Sequence, residues 1–260
     1  MSVKIFLVVV LSCLSFHFCI AQEEDEYVFK NKSHPKKKSI SNKSIYDVPN
    51  PDYTSYFLSP TAFTLPKRKI RLANNSLFFI KGTYGLTNTT NVSVTTTLFG
   101  SMIGSIKQSI NLDDEKTLSF SASFGDFTAS LKDTNILFTG ADANFTFGNH
   151  QNNITIGTGV YFFSSNIELV NYKKQFFAHA ITFGLQNQIS RKMYIMIDGY
   201  YFTNYSVLTA AAGLKFVIGK RFTLNAGIMP ILWNDTRSSR YDIKPFLMPV
   251  VSFRTLLGRF

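Results

Sequence analysis

Once an N-terminal export segment is set aside, the chain has no cysteine: Cys13 and Cys19, the two it contains, both fall within the first 21 residues. That excludes disulfide scaffolds, thiol nucleophiles and cysteine-ligated zinc, and with them the usual staple of a small secreted domain. Tryptophan occurs once. Beyond residue 21 there is also no run of about 18 apolar residues, so no membrane-spanning helix is written in the sequence. Yet the chain is 45% hydrophobic and 15% aromatic, with 26 Phe and 12 Tyr. For an exported, greasy chain without a spanning helix, the remaining way to satisfy every backbone group in hydrocarbon is a closed barrel.

Export is read from the first residues. Lys4 precedes Ile5-Phe6-Leu7-Val8-Val9-Val10-Leu11, and the apolar stretch ends at Cys19-Ile20-Ala21. This is a secretory signal peptide over residues 1–21, cut before Gln22, and too short and too abruptly followed by Glu23-Glu24-Asp25-Glu26 to be an anchor. Cys13 follows Val-Leu-Ser, which raises a lipoprotein signal as an alternative. Apolar residues continue past it, and Phe16-His17-Phe18 is the wrong box ahead of Cys19 for lipidation.

Residues 22–66 read as a separate periplasmic tail. The stretch opens acidic, turns basic at Lys36-Lys37-Lys38, and carries Pro35, Pro49, Pro51, Pro60 and Pro66. Low periodicity and frequent breakers predict a largely disordered segment that gains order only near residues 53–57. The alternatives are a solvated linker and a segment that folds into the barrel mouth or touches a partner.

The strand pattern is clearest over residues 206–230. Leu208, Ala210, Ala212, Leu214, Phe216 and Ile218 share one face, and Thr209, Ala211, Gly213 and Lys215 the other. After the turn Gly219-Lys220-Arg221, Phe222, Leu224, Ala226 and Ile228 alternate with Thr223, Asn225 and Gly227. A soluble sandwich would place charges on the minority face. Here it is small and polar, which makes the apolar face the outer one and predicts a transmembrane barrel. Ile154, Ile156, Val160 and Phe162 against Thr155, Gly157, Gly159 and Tyr161 repeat the inversion.

From Lys67 onward, five tight connections alternate with six longer or more polar ones. The count predicts an all-β fold: an antiparallel up-and-down barrel of about twelve strands over residues 67–260, with both ends on the tight-turn side. If residues 67–73 are only a lead-in, ten strands becomes the better count.

Residues 56–94, YFLSPTAFTLPKRKI…YGLTNTTNVSV, together with PVVSFR near the end and the terminal Phe260, resemble uncharacterised outer-membrane β-barrel proteins of Gram-negative bacteria. The resemblance implies residence in the cell outer membrane, contact with its lipid, and recognition of Phe260 by the barrel-insertion machinery as part of a closing-strand signal. It brings no catalytic residues. Arg254, Leu256 and Gly258 break the alternation that should lead to Phe260, so a bulge between Phe253 and Phe260 is expected.

Catalytic, cofactor and metal sites are not read from this sequence. His34, His150 and His179 form no His-x-x-x-His spacing, and Asp113-Asp114-Glu115 reads as a solvated turn. Outer-membrane phospholipases, which resemble a barrel of this size, use His-x-Ser on one strand. Here Ala180 and Ile181 follow His179, so a hydrolase is a minor alternative. Asp142 and Asp198 point inward by parity and are the expected partners of Lys81, Lys107 and Lys215 in a lumen charge network. Nine Asn-x-Ser/Thr triplets occur, two of them at Asn144 and Asn153 on strand positions a barrel would bury, so they read as chance matches in an Asn- and Thr-rich chain.

Without Lys4 the chain keeps 26 Lys plus Arg against 16 Asp plus Glu, a net +10. Because these charges are spread out in an exported protein, lipid head groups or a weakly anion-attracting lumen fit better than nucleic acid. Two functions follow. One is a barrel without catalytic chemistry and with a structural or interaction role, and the other a narrow porin-like passive channel for small solutes.

Overall fold

The computed structural model describes residues 50–75, 79–97, 101–129, 134–165, 175–219, 221–234 and 243–257. The expected signal peptide, residues 22–49 of the tail and Phe260 lie outside the described residues. Twelve strands follow one another: β1 (Ile70–Asn75), β2 (Phe79–Gly85), β3 (Thr90–Thr97), β4 (Met102–Asp113), β5 (Lys116–Ala129), β6 (Thr134–Gly148), β7 (Asn153–Ser165), β8 (Gln175–Ser190), β9 (Met193–Phe202), β10 (Val207–Ile218), β11 (Phe222–Asn234) and β12 (Ile243–Leu257). Each pairs antiparallel with its sequence neighbours, and β1 pairs with β12, so the sheet closes into an up-and-down barrel with no free edge.

The strand count is the expected twelve. The doubtful first strand exists, but it starts at Ile70 rather than Lys67 and is only 6 residues long. Ile70 opposes Leu257 and Asn75 opposes Ser252 in unbroken register. The bulge expected after Phe253 is therefore absent through Leu257, and Arg254 and Leu256 simply point inward, being 1% and 0% exposed.

The connections β2–β3, β4–β5, β6–β7, β8–β9 and β10–β11 are the tight turns, and both ends of the barrel chain lie at that end. In the β10–β11 turn Gly219 has φ 74°, a conformation that suits glycine because it has no Cβ. Nothing lies near its missing side chain, so the turn demands the backbone geometry alone.

Face assignment follows the period of two. Along β7, Ile154, Ile156 and Val160 are exposed while Thr155 and Tyr161 are buried. Val160 is 57% exposed and Phe124 68%, whereas Ser119 and Thr155 are fully enclosed. Apolar side chains outside and hydroxyls inside invert the order of a soluble protein and match a barrel bathed in lipid.

Only part of the interior has the small, polar character expected. Toward the longer loops the lumen is lined by rings, with Phe138, Tyr161, Phe163, Phe176, Tyr200 and Phe202 all buried. Phe163 stacks on Phe176 at 4.6 Å and lies 5.3 Å from Phe138. A barrel of this strand number encloses more volume than Thr and Gly can fill, and aromatic rings narrow that half.

Candidate functional site

The tight-turn half of the lumen is closed by the chain itself. Residues 50–66 enter beside the β6–β7 turn, run into the barrel, reverse and leave beside the β2–β3 turn. Asn50 Nδ2 donates to the His150 carbonyl at 2.9 Å at the start, and Lys67 N donates to Asn88 Oδ1 at 3.0 Å at the exit. The expected tail thus ends well before residue 66: Tyr53, Tyr56, Phe57, Leu58, Ala62 and Leu65 are all at most 2% exposed. Pro, Ser and Thr shape this segment as a loop. Asn50 caps the Asp52 N–H at 3.0 Å, Tyr56 N donates to Ser59 O at 3.0 Å across the tip, and Ser55 bridges Pro60.

The wall has been cut to receive this plug. A Cβ on Gly184 would overlap the Tyr56 ring, and a Cβ on Gly213 or Gly227 would meet the neighbouring strand's backbone first, at 2.3 or 2.5 Å, and Phe57 Cζ at 2.8 or 2.9 Å. Tyr56 Oη reaches Asn153 Oδ1 at 2.6 Å and Thr155 Oγ1 at 2.8 Å. At the tip, the Asp198 carboxylate accepts three successive backbone N–H groups, from Phe57 at 3.1 Å, Leu58 at 2.6 Å and Ser59 at 2.5 Å. The returning limb is held by Thr146 Oγ1 on Ala62 N at 2.7 Å and Asn91 Oδ1 on Leu65 N at 3.1 Å.

The electrostatic centre is Asp52. Its carboxylate lies 3.5 Å from Arg71, 3.0 Å from Lys215 and in direct contact with Arg254, and all four side chains are fully buried. Lys215 Nζ also donates to Gln186 Oε1 at 2.7 Å and Ser55 O at 3.3 Å. Arg254 donates to Ser55 Oγ at 2.8 Å and Tyr56 O at 2.7 Å. Burial by itself would raise the Asp52 carboxyl, but Arg254, Lys215 and Arg71 together hold it below the ordinary carboxylate range.

The five residues expected as a lumen network all line the interior, where Lys107 and Lys81 act electrostatically on Asp142, and the plug adds partners that the sequence reading did not include. Lys215 meets Asp52 instead of Asp198 or Asp142. Asp198 serves plug amides, and Lys107 donates to the carbonyls of Thr61 at 2.7 Å and Phe63 at 2.5 Å. Asp142 accepts from Ser121 Oγ at 2.7 Å and Asn144 Nδ2 at 2.8 Å. Lys81 is buried in the wall, opposite Ala73 in the β1–β2 register. For Asp198 and Lys107 the plug backbone supplies donors and acceptors that a water-filled lumen would have left to side chains.

Sequence reading missed Asp52, Arg71 and Arg254. Two signals were available: Asp52 is the last acid before Asp113, and Arg254 places a charge on the inward face of the closing strand between Ser252 and Leu256. Among the described strand side chains and Asp52, the inward cations Arg71, Lys81, Lys107, Lys215 and Arg254 face Asp142 and Asp198, 5 − 2 = +3, and Asp52 reduces this to +2.

His150 stands at the plug's entrance, its ring stacked on Tyr53 at 3.5 Å and edge-on to Phe63 at 5.0 Å. The residue as a whole is exposed at the rim, whereas its imidazole face is covered by Tyr53. The covered ring is what titrates, and burial pushes it down to about 4. His179 lies on β8 with Thr158 Oγ1 at 2.8 Å from Nε2 and Thr203 Oγ1 at 3.0 Å from Nδ1, so its partners come from neighbouring strand and loop positions and not from its own strand.

No protein-family model matches the chain, and no curated protein matches it. Among solved structures the chain is similar to one described as the KdgM porin in complex with disordered oligogalacturonate, at 9% identity and a TM-score of 0.41, covering 72% of this chain and 96% of that one. The closed twelve-stranded architecture rests on the strand pairing itself.

Proposed function

We propose that this protein resides in the outer membrane, exported by a cleaved signal peptide, and forms a narrow passive channel for small solutes that prefers anions and is kept shut by residues 50–66. The observation that carries this reading is the cation-lined wall against which the plug is docked. Arg71, Lys107, Lys215 and Arg254 project into the tight-turn half of the lumen and touch the plug through hydrogen bonds and ion pairs. Rings of Arg and Lys are how anion pores are lined. Contacts of this kind can be exchanged for water and solute.

No catalytic chemistry is assigned to the barrel. A second reading, a permanently closed barrel with a structural role, draws on the aromatic rings that line the long-loop half. Planar-bilayer recording separates the two. The full mature chain should be silent or flicker, and a variant lacking residues 22–66 should conduct steadily with anion preference. Silence of a correctly folded truncated barrel would favour the structural reading.

A further inference from the structure

Asp52 occupies a position that a free anion could take. The cations around it belong to the wall: Arg71 to β1, Lys215 to β10 and Arg254 to β12. They are held in place by strand register. Lys215 opposes Asn225 on β11, which opposes Ser252 on β12, so one row of the sheet joins the two sides of the cluster. With its amide oriented to accept, Asn225 takes hydrogen bonds from Arg254 Nε and NH2 at 3.2 Å. These wall contacts do not depend on the plug.

The single carboxylate is shared thinly. Asp52 Oδ2 takes both Lys215 and Arg254, and Oδ1 takes Arg71. Three wall cations that lost this carboxylate would be left to water or to another anion in its place, and the anion is the better match. Plug departure and anion binding are therefore linked. Guanidinium groups match planar carboxylates best, and the resident group is itself a carboxylate.

We infer that Arg71, Lys215 and Arg254 form a binding site for small carboxylate anions, with Asp52 as a tethered competitor whose replacement by a free carboxylate releases the plug. A tethered group competes at an effective concentration of roughly millimolar, so free solute at about that level is needed to replace it. The consequence for opening rests on the passage proposed above; the binding site does not.

The test uses the full mature chain in nanodiscs at fixed ionic strength, titrated calorimetrically with succinate and, as the uncharged control, succinamide. Asp52→Asn should bind succinate about tenfold or more tightly than the wild type, because the tethered competitor is gone. Adding Lys215→Gln should weaken it again, and succinamide should give no heat. Equal binding by wild type and Asp52→Asn, or none by an Asp52→Asn protein that keeps heat-modifiable gel mobility, would overturn the site. Should Asp52→Asn fail to fold, protease cleavage of the plug in wild-type protein decides: succinate should speed it relative to chloride of the same ionic strength, and no difference would overturn the inference. Binding without conductance leaves this site standing and sinks the passage, whereas conductance without binding does the reverse.

Discussion

Lys215 Nζ lies 3.0 Å from the carboxylate of Asp52, a residue 163 positions earlier in the chain. One ion pair thereby ties a strand of the wall to the segment that fills the lumen. Because neither group meets solvent, the pair acts as part of a buried network, and removing one partner costs far more than it would at a surface.

Asp52→Asn should undock the plug while the barrel remains. Breaking a buried pair by removing one partner costs about 3–5 kcal/mol, and here three cations lose their counterion together. Cleavage between residues 50 and 66 by added protease should become rapid, with the heat-modifiable barrel band unchanged. A plug as protected as in the wild type would contradict the central role given to Asp52.

Gly184→Ala probes the fit of Tyr56 without touching charge. The three atoms nearest the added Cβ all belong to the Tyr56 ring, so overpacking of about 1–3 kcal/mol should fall chiefly on the plug. Gly82→Ala is the control, since its Cβ would touch only Leu72 at an ordinary 3.8 Å. Plug protection should drop in the first variant and stay in the second. Equal behaviour of the two would mean Tyr56 is not seated against the wall as described.

Acid should loosen the plug. The docked His150 ring is held neutral, titrating near 4, while an exposed histidine titrates near 6.5. Between those values the undocked state takes up a proton that the docked state refuses, so docking weakens as pH falls through that window and is unaffected above it. Solvent at the rim damps the size of the effect. Protease protection of the plug measured from pH 8 to 4 should decline below about 6.5, and His150→Phe, which keeps the stacking surface, should flatten the decline. A wild-type profile already flat over this range would rule out His150 as its source.

Val160 tests which face meets lipid. It sits mid-strand on β7 and is 57% exposed, so Val160→Arg should cost about 2–4 kcal/mol if that depth is hydrocarbon. Folding into lipid vesicles, followed by gel mobility, reads the loss. Normal folding of this variant would place water, not lipid, against the outer face.

The faces were legible because a barrel in lipid inverts an elementary pattern. Ile154 and Ile156 against Thr155, or Phe222 and Leu224 against Thr223, need only the two-residue period of a strand to be assigned. Turn spacing likewise sufficed for the strand number. The plug was not legible for a physical reason: Pro51, Pro60, Ser55 and Thr61 have no period, and a segment that folds against a wall rather than on itself carries no pattern of its own. Its apolar residues Tyr53, Tyr56, Phe57 and Leu58 were the available hint. Parity placed Lys215 and Asp198 inside but could not name their partners, since those lie more than a hundred residues away.

The claim that residues 50–66 shut the lumen is tested most directly at Leu58, which is fully enclosed at the plug's tip. Protein refolded without residues 1–21 has no cysteine, so Leu58→Cys supplies a unique thiol, and its reaction with a membrane-impermeant maleimide in reconstituted vesicles is the measurement. Labelling should be slow in the otherwise native chain and fast once Asp52→Asn is added. A thiol that reacts as quickly in the native chain as in boiled protein would mean that the lumen is open and the plug is not where this account puts it.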